Sequence, residues 1–129
     1  MANVPDDLRY TVEHEWARRT GEPGIVAIGI TDYAQGELGD IVFVNLPKVG
    51  DRFTAHQPFG TIEAVKAVSD LFAPVAGQVV AANSTLETDP AAVNRAPYAE
   101  GWMIRLRLDD PAQYDALLTP ASYRSQIGA

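Results

Sequence analysis

Lys66 stands apart in the chain. It is the one lysine or arginine between Arg52 and Arg95, and Val65, Ala67 and Val68 surround it. A primary amine placed this way supports one distinctive chemistry. Acylation by a carboxylic acid turns it into a neutral amide, as acetylation does, and leaves a long single-bonded arm. Serine or threonine would give a labile ester on a shorter stem. Arginine would keep its charge and fit this acylation poorly. By residue type alone, an ordinary solvated lysine is the competing reading.

The other reactive groups do not assemble into a site. His14 and His56 lack metal-ligand spacing, and the chain has no cysteine. Disulfides and thiol catalysis are therefore excluded, and no metal site is assigned. Residues 13–15 read EHE, but neighbouring residues on a strand point to opposite faces. His14 is read as an exposed or hydrogen-bonded structural residue. Ser69–Asp70 has no base arranged for nucleophilic catalysis, and Asp70 is read as supporting a turn. There is no glycine-rich phosphate cradle. No catalytic residue is assigned, and the chain reads as a non-enzyme.

Composition narrows the partners. The 129 residues suffice for one compact domain. Ten basic against 17 acidic residues give a net charge of -7. That balance argues against nucleic acid or an anionic membrane as the main partner. The opening MANVPDDLRYTVEHEW has neither secretory nor transit-peptide character, and no apolar run approaches membrane-spanning length. The expectation is a cytoplasmic monomer.

Short elements must position Lys66. Residues 1–8 read as a loose lead-in. HEWARR and IVAIGI read as a hairpin around TGEPG, with Trp16 inward and Gly29 weakening the second strand. Thr31 is placed to cap a short helix with Asp32 in its first turn. DIVFVNL reads as a strand, with Ile41, Phe43 and Asn45 on one face and Val42, Val44 and Leu46 on the other. FTAHQPFGTIEA breaks at Pro58 and then becomes strand-like. GDIVFVN and GQVVAAN echo one another over seven residues, a hint of two similar halves. STLETDPAAVNRAPYAEG reads as a long connection with one helical turn. WMIRLRL alternates, with Trp102, Ile104, Leu106 and Leu108 inward and Met103, Arg105 and Arg107 outward. Asp110, Pro111 and Gln113 form a capping-box-like start for a helix through PAQYDALL. Thr119 and Pro120 start a second helix that stops at Gly128. The C-terminal helical segment thus covers residues 110–129. The sum is a mostly β sandwich or barrel-like domain with short peripheral helices.

Around Lys66 itself the residues leave two readings. TIEAVKAVSDLF has helical spacing through Ile62, Val65, Ser69 and Phe72, with Glu63 three before the lysine. Alternatively, GTIEAV and AVSDLFAPV are two strands whose hairpin tip is Lys66. The β-branched residues and flanking Gly60, Pro74 and Gly77 favour the hairpin, while the missing Asn-Gly or Asp-Gly counts against it.

Four stretches then carry a resemblance through nearly the whole chain. They are YTVEHEW, GITDYAQGELGDIVFVNLPKVG, IEAVKAVSDLFAPVAGQVVAAN and VNRAPYAEGWMIRL, followed by a closing YR. In this order they resemble the H protein family of the glycine cleavage system, carriers of covalently bound lipoic acid. The family's modified lysine lies in an E-S-V-K-A-like motif, which falls on EAVKA and Lys66. Ala64 replaces the usual serine. Ala99 replaces a glycine, a change that matters only if positive φ is required there.

The resemblance implies a barrel-sandwich hybrid of the biotinyl/lipoyl-carrier type over residues 1–129. It rejects the helix at residues 61–72 in favour of the hairpin. It implies lipoic acid amide-linked to Lys66, on an arm reaching about 14 Å from the backbone. The implied partners are glycine decarboxylase (P protein), the tetrahydrofolate-dependent aminomethyltransferase (T protein), dihydrolipoamide dehydrogenase (L protein) and the lipoate-attaching enzymes. The carrier would take an aminomethyl group from the first to the second, and the third would reoxidise the arm. Tethering raises the local concentration at each partner, and the loaded arm is expected to fold back on the carrier. The alternatives are a lipoyl domain of a 2-oxoacid dehydrogenase, a lipoyl-relay protein, or an unmodified binding module. A biotin carrier fits less well, because methionines do not flank Lys66.

Overall fold

The computed structural model describes residues 2–128. Two antiparallel sheets form its frame. The larger contains β1 (Arg9–Tyr10), β2 (Glu15–Arg19), β3 (Ile25–Ile30), β5 (Arg52–Phe53), β8 (Gly77–Ala82) and β9 (Ile104–Leu108), in the order β1-β2-β3-β9-β8-β5. The smaller contains β4 (Ile41–Asn45), β6 (Pro58–Ala64) and β7 (Val68–Phe72), in the order β4-β6-β7. Five short helices surround them: α1 (Asp32–Leu38), α2 (Thr85–Thr88), α3 (Ala92–Arg95), α4 (Ala112–Asp115) and α5 (Pro120–Ile127).

Local chemistry explains several of these elements. The Thr31 hydroxyl accepts from the Ala34 N–H at 3.2 Å and starts α1. Thr119 accepts from Ser122 N–H, Pro120 enters the first turn, and Gly128 closes α5 with left-handed φ of 75°. Gly29 sits opposite Trp16 in the β2–β3 register. A Cβ there would stand 2.8 Å from the indole. The glycine that weakens β3 by composition is thus what lets Trp16 bury completely, with its Nε1–H donating to the Pro97 carbonyl at 3.0 Å.

Several expectations need correction. The DIVFVNL strand does not alternate cleanly, because a β-bulge falls between Ile41 and Phe43. It buries Ile41 and Val44 and exposes both Val42 and Phe43. Met103 is buried, not outward, and Trp102 is half-buried. Alternation applies only from Ile104, where β9 begins; before it, Met103 is wedged in, donating to the Ile28 carbonyl and accepting from Asn83 N–H. The lead-in is not loose over residues 2–8: Val4 and Leu8 are buried, and Arg124 donates to the Val4 carbonyl; Met1 lies outside the described residues. Finally, Asp110 does accept from Ala112 N–H, but Gln113 makes no capping box. Its side chain accepts from Ala76 N–H at 2.7 Å, tying α4 to the sheet, and the helix ends at Asp115.

The connection after β8 contains two helical turns, α2 and α3, because Leu86, Ala92 and Val93 are drawn into the core. Ala99 does not need positive φ. Among described non-glycine residues, positive φ occurs at His14 and His56.

Candidate functional site at a hairpin tip

β6 and β7 pair through Thr61↔Asp70, Ile62↔Ser69 and Glu63↔Val68. The residues between them make the tip. Ala64 N–H donates to the Ala67 carbonyl at 2.7 Å, closing the turn. Val65 N–H donates to the Asp40 carbonyl at 3.0 Å, anchoring it to the α1–β4 corner. Lys66 is exposed at the apex, and Val65 is 77% exposed beside it. The segment is a hairpin and not a helix.

The lysine stem rests on a glycine. Gly39, the C-cap of α1 with φ of 80°, would bring a Cβ to 3.4 Å from Lys66 Cε. The left-handed φ of the turn calls for glycine there, and a Cβ would stand in ordinary contact with the stem. Asn94 clamps the same corner. Its side-chain oxygen accepts from Ile41 N–H, and its amide donates to the Gly39 carbonyl and to Gln35, each at 2.9 Å. Asn94 was not singled out by sequence reasoning, although the VNRAPY stretch that contains it belongs to the resemblance.

A cleft of about 300 Å³ opens beside this corner, between the start of β2, α1 and the β6–β7 hairpin. Glu13, Glu15, Glu37 and Asp70 supply carboxyl groups to its wall, and Leu38, Ile62 and Leu71 supply an apolar surface. The EHE residues therefore do meet. Among the described residues, no group of three or more His, Cys, Asp or Glu is placed to hold a metal ion.

Glu15 is 2% exposed. Its carboxyl accepts from the Thr11 hydroxyl at 2.9 Å and from Phe72 N–H at 3.4 Å. Burial outweighs these bonds and pushes its pKa up to about 8. The group is thus a neutral acid in the cleft at neutral pH.

His14 lies beside it with φ of 71°. Its Nδ1 is 2.8 Å from the Tyr123 hydroxyl, which is 2.7 Å from the Thr31 hydroxyl. Thr31 already accepts from Ala34 N–H. The arrangement that satisfies every proton has Thr31 donating to Tyr123 and Tyr123 donating to Nδ1, leaving the His14 proton on Nε2. Burial lowers the His14 pKa below its ordinary value, and burial raises Tyr123 to about 12. This histidine is a hydrogen-bonded part of the frame. His56 is elsewhere, paired at 3.3 Å with Glu13 across exposed surface. Ser69 and Asp70 are exposed on β7, and the Ser69 hydroxyl donates to the Asp70 carbonyl.

Residues 8–128 match the family model described as glycine cleavage H-protein. The chain is 56% identical over 128 residues to a glycine cleavage system H protein of Opitutus terrae, covering 99% of this chain and 100% of that one. It is 54% identical over 125 residues to that of Geobacillus kaustophilus, covering 97% of each. A crystal structure of a glycine cleavage system H protein from Mycobacterium marinum superposes with a TM-score of 0.89 at 38% identity, covering 98% of this chain and 100% of that one. The mixed sheet-and-helix fold is consistent with the lipoyl and biotinyl carriers.

Proposed function

The chain belongs to the glycine cleavage H-protein family, and from that premise we propose that Lys66 is the residue that carries its lipoyl group. The protein is a lipoyl-bearing shuttle of the glycine cleavage system. One observation carries the assignment to Lys66: within the EAVKA motif this amine stands exposed at a hairpin apex, its stem laid over Gly39. A dithiolane on that amine supplies the redox and group-transfer chemistry, and the protein supplies its presentation.

The residues divide the work. The β6–β7 strands hold the apex, and the Val65–Asp40 and Asn94 bonds fix its direction. Lys66 Nζ attacks an activated lipoyl carbonyl. The C–N bond forms, the bond to the activating group breaks, and the amine proton leaves to solvent. The carboxylates of Glu13, Glu37 and Asp70 make the neighbouring cleft complementary to a cationic amine, and the protonated Glu15 adds a polar group to its wall. Its apolar wall is formed by Leu38, Ile62 and Leu71. These two features suit shelter of an aminomethyl group between partners.

The finer reading is a single barrel-sandwich hybrid domain over residues 1–129, a non-catalytic cytoplasmic monomer. Its partners are glycine decarboxylase, the aminomethyltransferase, dihydrolipoamide dehydrogenase and a lipoate-attaching enzyme. The acidic net charge favours basic entrances on them.

Intact-mass measurement before and after treatment with a lipoate ligase tests the assignment, with peptide mapping around residues 53–95. One lipoyl group at Lys66 is expected. Modification elsewhere, or none, overturns it. The cleft has a separate test. Aminomethyl loss should be slower from the folded carrier than from the unfolded one, and equal rates exclude shelter.

A further inference from the structure

The outer surface of the three-stranded sheet has a composition that folding alone does not require. The bulge between Ile41 and Phe43 turns two consecutive apolar residues outward. Val42 is 53% exposed and Phe43 is 48% exposed, and Val68 is 68% exposed. Phe43, Glu63 and Val68 are cross-strand partners in one row, so they share a face. Strand spacing places Phe43 about 10 Å from Val68. This row is next to the tip that bears Lys66. An uninterrupted strand would have exposed one of Val42 and Phe43 and buried the other.

Charge on this surface is mainly acidic. Within β4, β6, β7 and the tip, the charged residues are Glu63, Asp70 and Lys66. Exposed Asp40 adjoins them through its carbonyl bond to Val65. In the unmodified chain Lys66 is the one basic residue among them, and the acidic residues outnumber it. Apolar residues on either side of Glu63, with Asp40 and Asp70 nearby, match a partner that offers apolar sites interleaved with lysine or arginine.

Reach decides which partner this is. An enzyme that receives the finished arm meets its end at a distance. The enzyme that acylates Lys66 has no arm to draw on. It must bring an activated carbonyl to Nζ, about 6 Å from the lysine Cα, and so must cover the tip and the adjoining sheet. An acyl group activated through phosphate also calls for basic side chains near that carbonyl.

We propose that the outer surface of the β4–β6–β7 sheet, with Val42 and Phe43 as its apolar anchor, is the docking surface for the acylating enzyme. The inference rests on Lys66 being the attachment residue.

The test uses the full unmodified chain, a lipoate ligase, lipoate and magnesium ATP, with amide formation followed by intact mass. Val42→Thr combined with Phe43→Thr keeps β-branched residues in the strand, and Phe43→Lys sets a positive charge against the partner's basic side chains. Each should lower kcat/KM for attachment at least tenfold. Acetylation of Lys66 by acetic anhydride should proceed as in the parent chain, because the tip itself is unchanged. Asp40→Asn with Asp70→Asn should slow attachment severalfold at low salt and little at high salt. Attachment at the parental rate in both anchor variants overturns the proposal. So does an equal slowing of acetylation, which would mean a disturbed tip. Variants that attach normally but transfer slowly would assign the surface to a different partner and overturn it too. Failure of the Lys66 reading looks different: the parent chain would gain no mass at Lys66.

Discussion

Residues 39–45, GDIVFVN, and residues 77–83, GQVVAAN, were built alike and used differently. Each contains a β-bulge at the same place, between Ile41 and Phe43 in β4 and between Val79 and Ala81 in β8. In β4 the two outward residues, Val42 and Phe43, meet solvent. Their counterparts Val80 and Ala81 are half-buried. The final asparagines differ more. Asn45 is exposed, whereas Asn83 is buried and its amide donates to the Glu100 and Trp102 carbonyls at 2.8 and 2.7 Å. β8 lies between β9 and β5, while β4 is an edge strand paired with β6. The backbone irregularity travels with the local sequence, and its consequence depends on what stands beside it. The β8 copy belongs to the body that holds the fold. The β4 copy belongs to the end that bears Lys66.

If that division is real, changes at one end should cost chemistry and changes at the other should cost stability. Lys66→Arg gives the largest contrast. Lipoylation and aminomethyl transfer should vanish, with unfolding free energy altered by less than about 0.5 kcal/mol in urea titration. Retained transfer would break the comparison from the arm end. Trp16→Ala should do the reverse. It empties a fully buried site and should cost about 3–5 kcal/mol, while the protein that remains folded still accepts a lipoyl group at Lys66.

Glu15 joins the two regions, being a buried strand residue that also lines the cleft. Its raised pKa, about 8 against an ordinary 4.5, means that the folded chain retains a proton which the unfolded chain loses in that interval. The favourable state is present at low pH and is lost as the pH rises from 4.5 through about 8. Stability should decline by up to a few kcal/mol over that window, and Glu15→Gln should flatten the decline in thermal melts taken from pH 5 to 9. An equally steep decline in the variant would remove Glu15 as its source. The smallest effect sharpens the comparison most directly. Asn83→Ala should cost about 1–3 kcal/mol by stranding two carbonyls, whereas Asn45→Ala should stay within about 0.5 kcal/mol. Equal costs would mean that the two copies are not used differently.

Much of the fold was legible where one residue acts on its near neighbours. The Thr31 cap and the Thr119–Pro120 start and Gly128 stop of α5 are local hydrogen-bonding and dihedral preferences. IVAIGI reads as a buried strand because every side chain in it is apolar or absent. Lys66 was legible as a candidate from its isolation, and its proposal as the attachment residue comes only through the motif around it. Periodicity by itself left its segment between helix and hairpin. Met103, Val4 and Leu8 were misread because their burial comes from distant segments: the β3 and β8 backbones enclose Met103, and α5 helps to hold the first residues.

The amino-acid sequence by itself determined the acylable amine, the acidic balance, the caps and turns, and the likeness that names the family. These depend on residue type and on contacts a few positions apart. Tertiary structure alone decided that Glu15 is a buried acid, that Asn94 braces the corner under the tip, and that residues from β2, α1 and the β6–β7 hairpin enclose one cleft. It also decided that the bulge in β4 faces water. A carboxyl group's charge state and an apolar residue's exposure depend on the dielectric and packing around them, and those surroundings come from segments far apart in the chain.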